Sequence, residues 1–202
     1  LKRGSDLLVR IGKPSDVVIE LASKLNAREV RVADHAGVEE FAHIQAVEQG
    51  LPSQTALNCI ESGRLIDLKA LPFEREALPG SFSAFRRSVE SECAVPASRC
   101  APITLPQSAT WQPDPRQGYA YRGGESAAHG RLKDYLWRQQ GGETYKKTRN
   151  GLLGANFSTR VSPWLARGCL SARQVDEAVK AWEAENGSNE SSYWISFELL
   201  WR

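Results

Sequence analysis

Hydroxyl and cationic side chains gather in one short stretch of the sequence, directly before a proline. Residues 158–163 read Ser-Thr-Arg-Val-Ser-Pro, and Pro163 suits the first turn of a helix that Ser162 would cap. The N-terminus of a helix offers free N–H donors and a partial positive charge, which favour an anion such as a phosphate. The pattern indicates either a phosphate-binding turn or a helix cap with no further role.

A second set of reactive side chains closes the sequence. Glu198, Trp201 and Arg202 stand at i, i+3 and i+4, a spacing that puts them on one face of a helix. A carboxylate beside an indole can hydrogen-bond a flat heterocycle that stacks on the ring, and an arginine can bind a phosphate. The alternative is a core helix in which Glu198 and Arg202 form an ion pair.

Short apolar runs alternate with helical patterns over the first seventy residues. The pattern predicts strands at 7–9 and 29–33 and helices at 14–25 and 37–49. A βαβα order of this kind is typical of parallel strands covered by helices. We therefore predict an α/β fold, part of a Rossmann-like domain, for residues 1–70.

The rest of the chain changes character twice. Residues 71–121 hold most of the prolines and have little periodicity, which favours a connector between domains. Residues 122–202 show one helical pattern after another, at 126–138, 171–185 and 191–202, and the second begins with a capping box formed by Ser171 and Gln174. This part is predicted to be all-α.

Composition limits the remaining classes. The 202 residues have a net charge of +2 and no methionine, and the last helical pattern continues to the end, so we expect a piece of a longer protein. No apolar run approaches the roughly 20 residues of a membrane span, and no histidine or cysteine pair has metal-ligand spacing. We expect a soluble protein, cytoplasmic if bacterial and organellar or nuclear if eukaryotic.

Four motifs, in this order, resemble the photolyase/cryptochrome family, and within it the DASH cryptochromes. They are YRGGESAAHGRLKDY at 121–135, YKKTRNGLLG at 145–154, SPWLARGCLS at 162–171 and YWISFELLWR at 193–202. The resemblance extends upstream through 6–14 and 78–86 and so covers nearly the whole chain.

The resemblance implies an N-terminal α/β domain and a C-terminal helical domain that binds a U-shaped FAD. Carried over by position, the residues that would contact FAD are Tyr145, Ser158, Thr159, Arg160, Val161 and Ser162. The family often carries a folate antenna, 5,10-methenyltetrahydrofolate. DASH proteins have a Trp-Gly segment before the Leu-Pro-Phe turn, where this chain has ESGRLID at 61–67, so the antenna stays an open alternative.

The resemblance also implies an activity on DNA. Glu198 and Trp201 would be the catalytic residues, facing a cyclobutane pyrimidine dimer that is split by light-driven electron transfer from FAD. The DNA-binding set would be Arg149, Glu198, Trp201 and Arg202, with single-stranded DNA as the partner of a monomeric full-length protein. The alternative is a non-catalytic blue-light photoreceptor. We expect the isolated 202 residues not to retain FAD, because the aromatic face from Trp194 to Trp201 would lack partners.

Overall fold

The computed structural model describes residues 10–34, 37–99, 121–152 and 154–201. Of these, the residues up to Ser62 form one compact unit and those from Gly63 onward form a second. The predicted strand at residues 7–9 and the terminal Arg202 lie outside the described residues.

A parallel pair of strands and two helices form the first unit. Strands β1 (Glu29–Ala33) and β2 (Ala56–Ile60) pair in register from Glu29 opposite Ala56 to Ala33 opposite Ile60, and helices α1 (Pro14–Lys24) and α2 (Val38–Gly50) precede them in turn. The predicted helices 14–25 and 37–49, the strand 29–33 and the parallel arrangement are confirmed. Strand β2 was not predicted, because its ALNCI sequence alternates apolar and polar residues only weakly.

Helices dominate the second unit. They are α3 (Phe82–Glu92), α4 (Glu125–Lys133), α5 (Gly141–Thr148), α6 (Ser162–Ala166), α7 (Ala172–Asn186) and α8 (Glu190–Leu199). The faces predicted for the patterns at 126–138 and 171–185 supply much of the core, including Leu132, Leu136, Val175, Val179 and Trp182, each at most 2% exposed. Within the described residues, no helix combines the length and apolar character that a bilayer span requires.

The segment from Gly63 to Arg99 packs on these helices. Leu65 belongs to the helical core at 2% exposure, and Arg173 of α7 donates to the carbonyl oxygen of Leu65 at 3.2 Å and to Asp67 at 2.6 Å. Ser98, at the far end of the segment, donates to the carboxylate of Glu177 at 2.7 Å. The division into 1–70, 71–121 and 122–202 stays a prediction, and residues 100–120 of its connector lie outside the described part of the chain.

Helix α4 continues directly into one π-helical turn, Asp134–Arg138. The turn closes with a hydrogen bond from the Gln139 N–H to the Asp134 carbonyl oxygen at 2.9 Å, and it leaves Tyr135 fully buried. A Cβ atom on Gly141 would lie 2.2 Å from the Tyr135 ring. Glycine at the start of α5 therefore permits the close approach of that helix to the π-helical turn.

The last helix is shorter than predicted. Asn189 caps α8 through a capping box with Ser192, and the helix ends at Leu199. The Leu200 N–H donates to the carbonyl oxygen of Phe197, a tighter 3₁₀-type closure. The prediction that the helix continues through residue 202 is therefore wrong, and Trp201 lies in a turn after it.

Replacing Ser171 by alanine is expected to destabilise the helical unit by about 1 kcal/mol, because it removes an N-cap that accepts from the Gln174 N–H at 3.1 Å. Ser162→Ala is the matched control, since Ser162 opens α6 without a side-chain cap bond and should change stability little. Urea unfolding followed by circular dichroism measures both. Equal destabilisation by the two variants would contradict the assigned cap.

Candidate functional site

Helices α5 and α8 lie side by side, and they carry two of the predicted site residues, Tyr145 and Glu198. Ser191, in the first turn of α8, donates to the carbonyl oxygen of Glu143 at 2.9 Å and accepts from the Lys146 N–H at 3.1 Å. A salt bridge of 2.8 Å joins Lys146 to Glu190. These contacts fix the start of α8 against the middle of α5 and set the register between their side chains.

One consequence of that register is a cluster of Arg149, Glu198 and Trp194. Arg149, just after α5, donates from Nη1 to Glu198 Oε1, and its guanidinium carbon lies 4.7 Å from the centre of the Trp194 ring. Both charged side chains are about one third exposed, at 30% and 32%. The cluster combines a planar cation, an aromatic face and a hydrogen-bond acceptor at the surface, a set suited to a nucleobase and its phosphate.

Glu198 has a partner that the sequence did not predict. The intrahelical pair with Arg202 involves a residue outside the described part of the chain, and among the described residues Glu198 pairs with Arg149, 49 residues earlier in the chain. Periodicity within one helix gives no information about such a contact.

Tyr145 lies on α5 beneath this cluster and is buried. Burial raises the pKa of its hydroxyl, and the negative charge of Glu198 raises it further, against a smaller opposing effect of Arg149. The hydroxyl is therefore protonated at neutral pH and can donate a hydrogen bond, for example to a phosphate oxygen.

The predicted turn at residues 158–162 approaches the same helix. Thr148, three residues after Tyr145, donates to the Phe157 carbonyl oxygen at 2.8 Å. Residues at i and i+3 share a helix face, so the turn lies beside the face that carries Tyr145. The structure thus brings together two parts of the predicted flavin set that are separated in sequence.

Two details of that turn differ from the sequence prediction. Val161, rather than Ser162, is the residue before α6, and the helix is only five residues long without a side-chain cap. The Arg160 side chain donates to the carbonyl oxygens of Leu152 and Gly154, at 3.3 and 2.7 Å. The guanidinium therefore also holds the preceding loop, which was not predicted, and its part in binding an anion stays a prediction.

Trp201 leaves the helix face that it was predicted to share with Glu198. Its indole stacks on Phe82 of α3, with ring centres 3.6 Å apart and an angle of 13°, and it remains 61% exposed. Phe197 meets the same Phe82 edge-on at 5.6 Å. The expectation that this aromatic face lacks partners is wrong for these two residues, and Phe82 could not be identified from the sequence because it lies more than 100 residues upstream.

Arg131 is a further residue that the sequence prediction missed. It lies in α4 and is only 7% exposed, and its guanidinium donates to four oxygen atoms of residues 155–159. A signal was present, since Arg131 shares the apolar stripe of Ala128 and Tyr135 at i−3 and i+4. A charged residue inside a buried stripe requires partners.

Comparison with known proteins supports a single family. The chain is 37% identical to "Cryptochrome DASH, chloroplastic/mitochondrial" of Arabidopsis thaliana, with 100% of the chain and 39% of that protein covered. It is 36% identical to "Cryptochrome DASH" of Gloeobacter violaceus, with 98% and 43% covered. The chain thus spans less than half the length of these relatives.

Solved structures of a cryptochrome and of a photolyase are also similar to this chain. The cryptochrome of Synechocystis sp. PCC6803 superposes with a TM-score of 0.85 at 32% identity, over 100% of this chain and 46% of that one. A class III photolyase of Agrobacterium tumefaciens shares the fold with a TM-score of 0.75 at 19% identity, over 100% and 44%.

The family model for DNA photolyase matches residues 1–106, more than half of the 202 residues. Together with the relatives, which cover the chain from end to end, this match shows that the chain belongs to the DNA photolyase family, with DASH cryptochromes among its relatives.

Proposed function

We propose that this chain is part of a DASH-type, FAD-dependent blue-light protein that repairs cyclobutane pyrimidine dimers in DNA. The observation that carries the proposal is the cluster of Arg149, Trp194 and Glu198 above the buried Tyr145. Phosphate-binding and base-stacking groups there lie next to the residues proposed to hold FAD. The likeness to DASH cryptochromes over the whole chain supports the same assignment.

The residues proposed to hold FAD suit its diphosphate. Tyr145 can donate a hydrogen bond, and the 158–160 turn beside it presents the hydroxyls of Ser158 and Thr159 at half-buried positions. Hydroxyl and amide donors at a partly desolvated turn are the groups that proteins use for phosphate oxygens. Val161 and Ser162 complete the proposed set. A folate antenna is implied only by the resemblance, and no described residue identifies a site for it.

When bound and reduced, FAD supplies an electron on illumination. Held by Tyr145 and the 158–162 turn, FAD would supply the electron that splits the two bonds of the cyclobutane ring and would take it back, so that the net reaction would consume no oxidant or reductant. This chain contributes binding and orientation. Glu198 hydrogen-bonds the dimer, Arg149 binds a backbone phosphate, and Trp201 offers its exposed indole face for stacking. Arg202, outside the described residues, remains in the proposed DNA-binding set.

The proposal is tested with the complete product of the gene that encodes this chain. We expect flavin absorbance near ~450 nm and light-dependent loss of dimers from an irradiated oligonucleotide, stronger for single strands than for duplexes, with a dark sample as control. Absence of repair on both substrates in a flavin-loaded protein would reject the repair function and leave the photoreceptor alternative.

A further inference from the structure

The guanidinium of Arg131 is the most completely bonded buried charge in the described part of the helical unit. Nε donates to the Thr159 carbonyl oxygen at 3.0 Å, and Nη2 donates to those of Ala155 and Ser158 at 2.8 and 3.1 Å. Nη1 donates to Oδ1 of Asn156 at 3.1 Å. All four acceptors belong to one turn of five residues, so a single side chain determines the path of that turn.

From this geometry we propose that Arg131 is a positioning residue that shapes the 155–160 turn for a phosphate-bearing ligand. The inference rests on the proposed FAD site and names a residue that the resemblance does not include. Its basis is the direction of the peptide groups. In a trans peptide the N–H points opposite to the C=O of the preceding residue.

The three carbonyl groups that accept hydrogen bonds from Arg131 fix the direction of the three peptide N–H groups that follow them. Because the carbonyl oxygens of Ala155, Ser158 and Thr159 point toward Arg131, the N–H groups that follow them point away from it. Two of these N–H groups belong to Thr159 and Arg160, which are in the proposed FAD set. Successive N–H groups that point the same way form a concave donor surface that suits an anion.

The shape of guanidinium is essential to this role. Five N–H groups in a planar fork can reach several carbonyl oxygens at once, whereas the ammonium of lysine is a compact charge with three donors on one atom. The rings of Tyr121 and Tyr135 each lie 5.2 Å from the guanidinium carbon and limit its movement. Asp134 approaches only to 3.7 Å, so the positive charge of Arg131 is incompletely neutralised and favours an anion on the turn.

Arg160 acts on the neighbouring stretch of the same loop. It holds the carbonyl oxygens of Leu152 and Gly154 and adopts a left-handed backbone conformation with φ of 55°, which is uncommon for a residue with a side chain. Its backbone is held in place by bonds on both sides of the turn. Loss of Arg131 would leave Arg160 free to relax to an ordinary conformation.

The first test measures the turn itself in the 202-residue chain. Tryptic cleavage after Arg160 should become about fivefold faster in Arg131→Lys and in Arg131→Gln, while cleavage after Lys180 of α7 keeps its rate. Arg138→Gln is the matched control, because Arg138 also contacts Asp134 but is 77% exposed. Unchanged cleavage after Arg160, or equal acceleration of cleavage after Lys180, would overturn the proposal.

The second test measures the dissociation constant of FAD for the complete gene product. Both Arg131 variants should bind FAD about fivefold more weakly, with Arg138→Gln unchanged. Normal affinity in Arg131→Lys would show that the charge alone suffices and would overturn the role of the fork. If the unmodified protein binds no FAD, the proposed function fails, and the proteolysis experiment still decides whether Arg131 fixes the turn.

Discussion

Replacing Glu198 by alanine is expected to lower dimer repair and to raise DNA affinity. The rate of light-driven repair should fall about tenfold, because a hydrogen bond that involves a charged group contributes about 1.5 kcal/mol. The affinity for undamaged single-stranded DNA should rise about threefold, the effect of releasing a partly exposed ion pair, since Arg149 would no longer bind Glu198 and could bind a phosphate. Repair kinetics and fluorescence anisotropy measure the two effects.

The chain offers a matched control for this variant. Glu190, also on α8, forms a salt bridge of 2.8 Å with Lys146 of α5 and is 80% exposed. Glu190→Ala removes the same charge and releases Lys146, but it leaves the contact between Glu198 and Arg149 in place. It should therefore leave the repair rate unchanged. A parallel decline of repair in both variants would show that net charge, rather than the Glu198 contact, controls the reaction.

Arg149→Ala is expected to change DNA affinity in the opposite direction. It should weaken DNA binding and reduce the slope of log affinity against log salt concentration by about one. If Glu198→Ala and Arg149→Ala both weaken DNA binding, then the ion pair orients Arg149 toward DNA instead of competing with it, and the competition described here is wrong.

Local patterns predicted the parts of this fold that depend on neighbouring residues. The capping box of Ser171 and Gln174 and the apolar stripe that follows defined α7 because both operate within one helix. The same reasoning extended α8 too far, since the stripe of Trp194, Phe197 and Trp201 has helical spacing although the helix ends at Leu199. Contact with Phe82 accounts for the position of Trp201, and a distant ring leaves no periodic signal.

The candidate site depends even more on contacts between residues that are distant in the sequence. Tyr145, the 158–162 turn and Glu198 were predicted as separate features, and Tyr145 was given a role only through the resemblance. Their proximity depends on Ser191 and Thr148, which connect α5 to α8 and to the turn. Single serine and threonine hydroxyls are common in any sequence, so their long-range partners could not be inferred. Arg131 was detectable, because a charge within an apolar stripe conflicts with burial unless partners exist.

Stability of the helical unit is expected to decline steeply in alkali because of Tyr135. Burial raises the pKa of this fully buried tyrosine to about 12, compared with about 10 in an unfolded chain. Above pH 10 the tyrosine of the unfolded chain loses its hydroxyl proton, while Tyr135 in the folded chain keeps it. The stabilisation of the folded chain that is present below pH 10 is therefore lost as the pH rises to 12. The loss is about 2 to 3 kcal/mol, and burial of Tyr145 acts in the same direction.

Urea unfolding of the chain and of Tyr135→Phe at several pH values between 8 and ~12 tests this expectation. The phenylalanine variant cannot ionise, so its stability should decline less with pH, and the difference between the two proteins should grow only above pH ~10. Tyr193→Phe removes a hydroxyl at the protein surface, where it bonds Arg86 and Glu90 at 2.7 Å, and should retain most of the alkaline loss. Parallel curves for the chain and Tyr135→Phe would mean that Tyr135 ionises within the folded state near its ordinary pKa, and water would then have to reach the π-helical turn that now buries it.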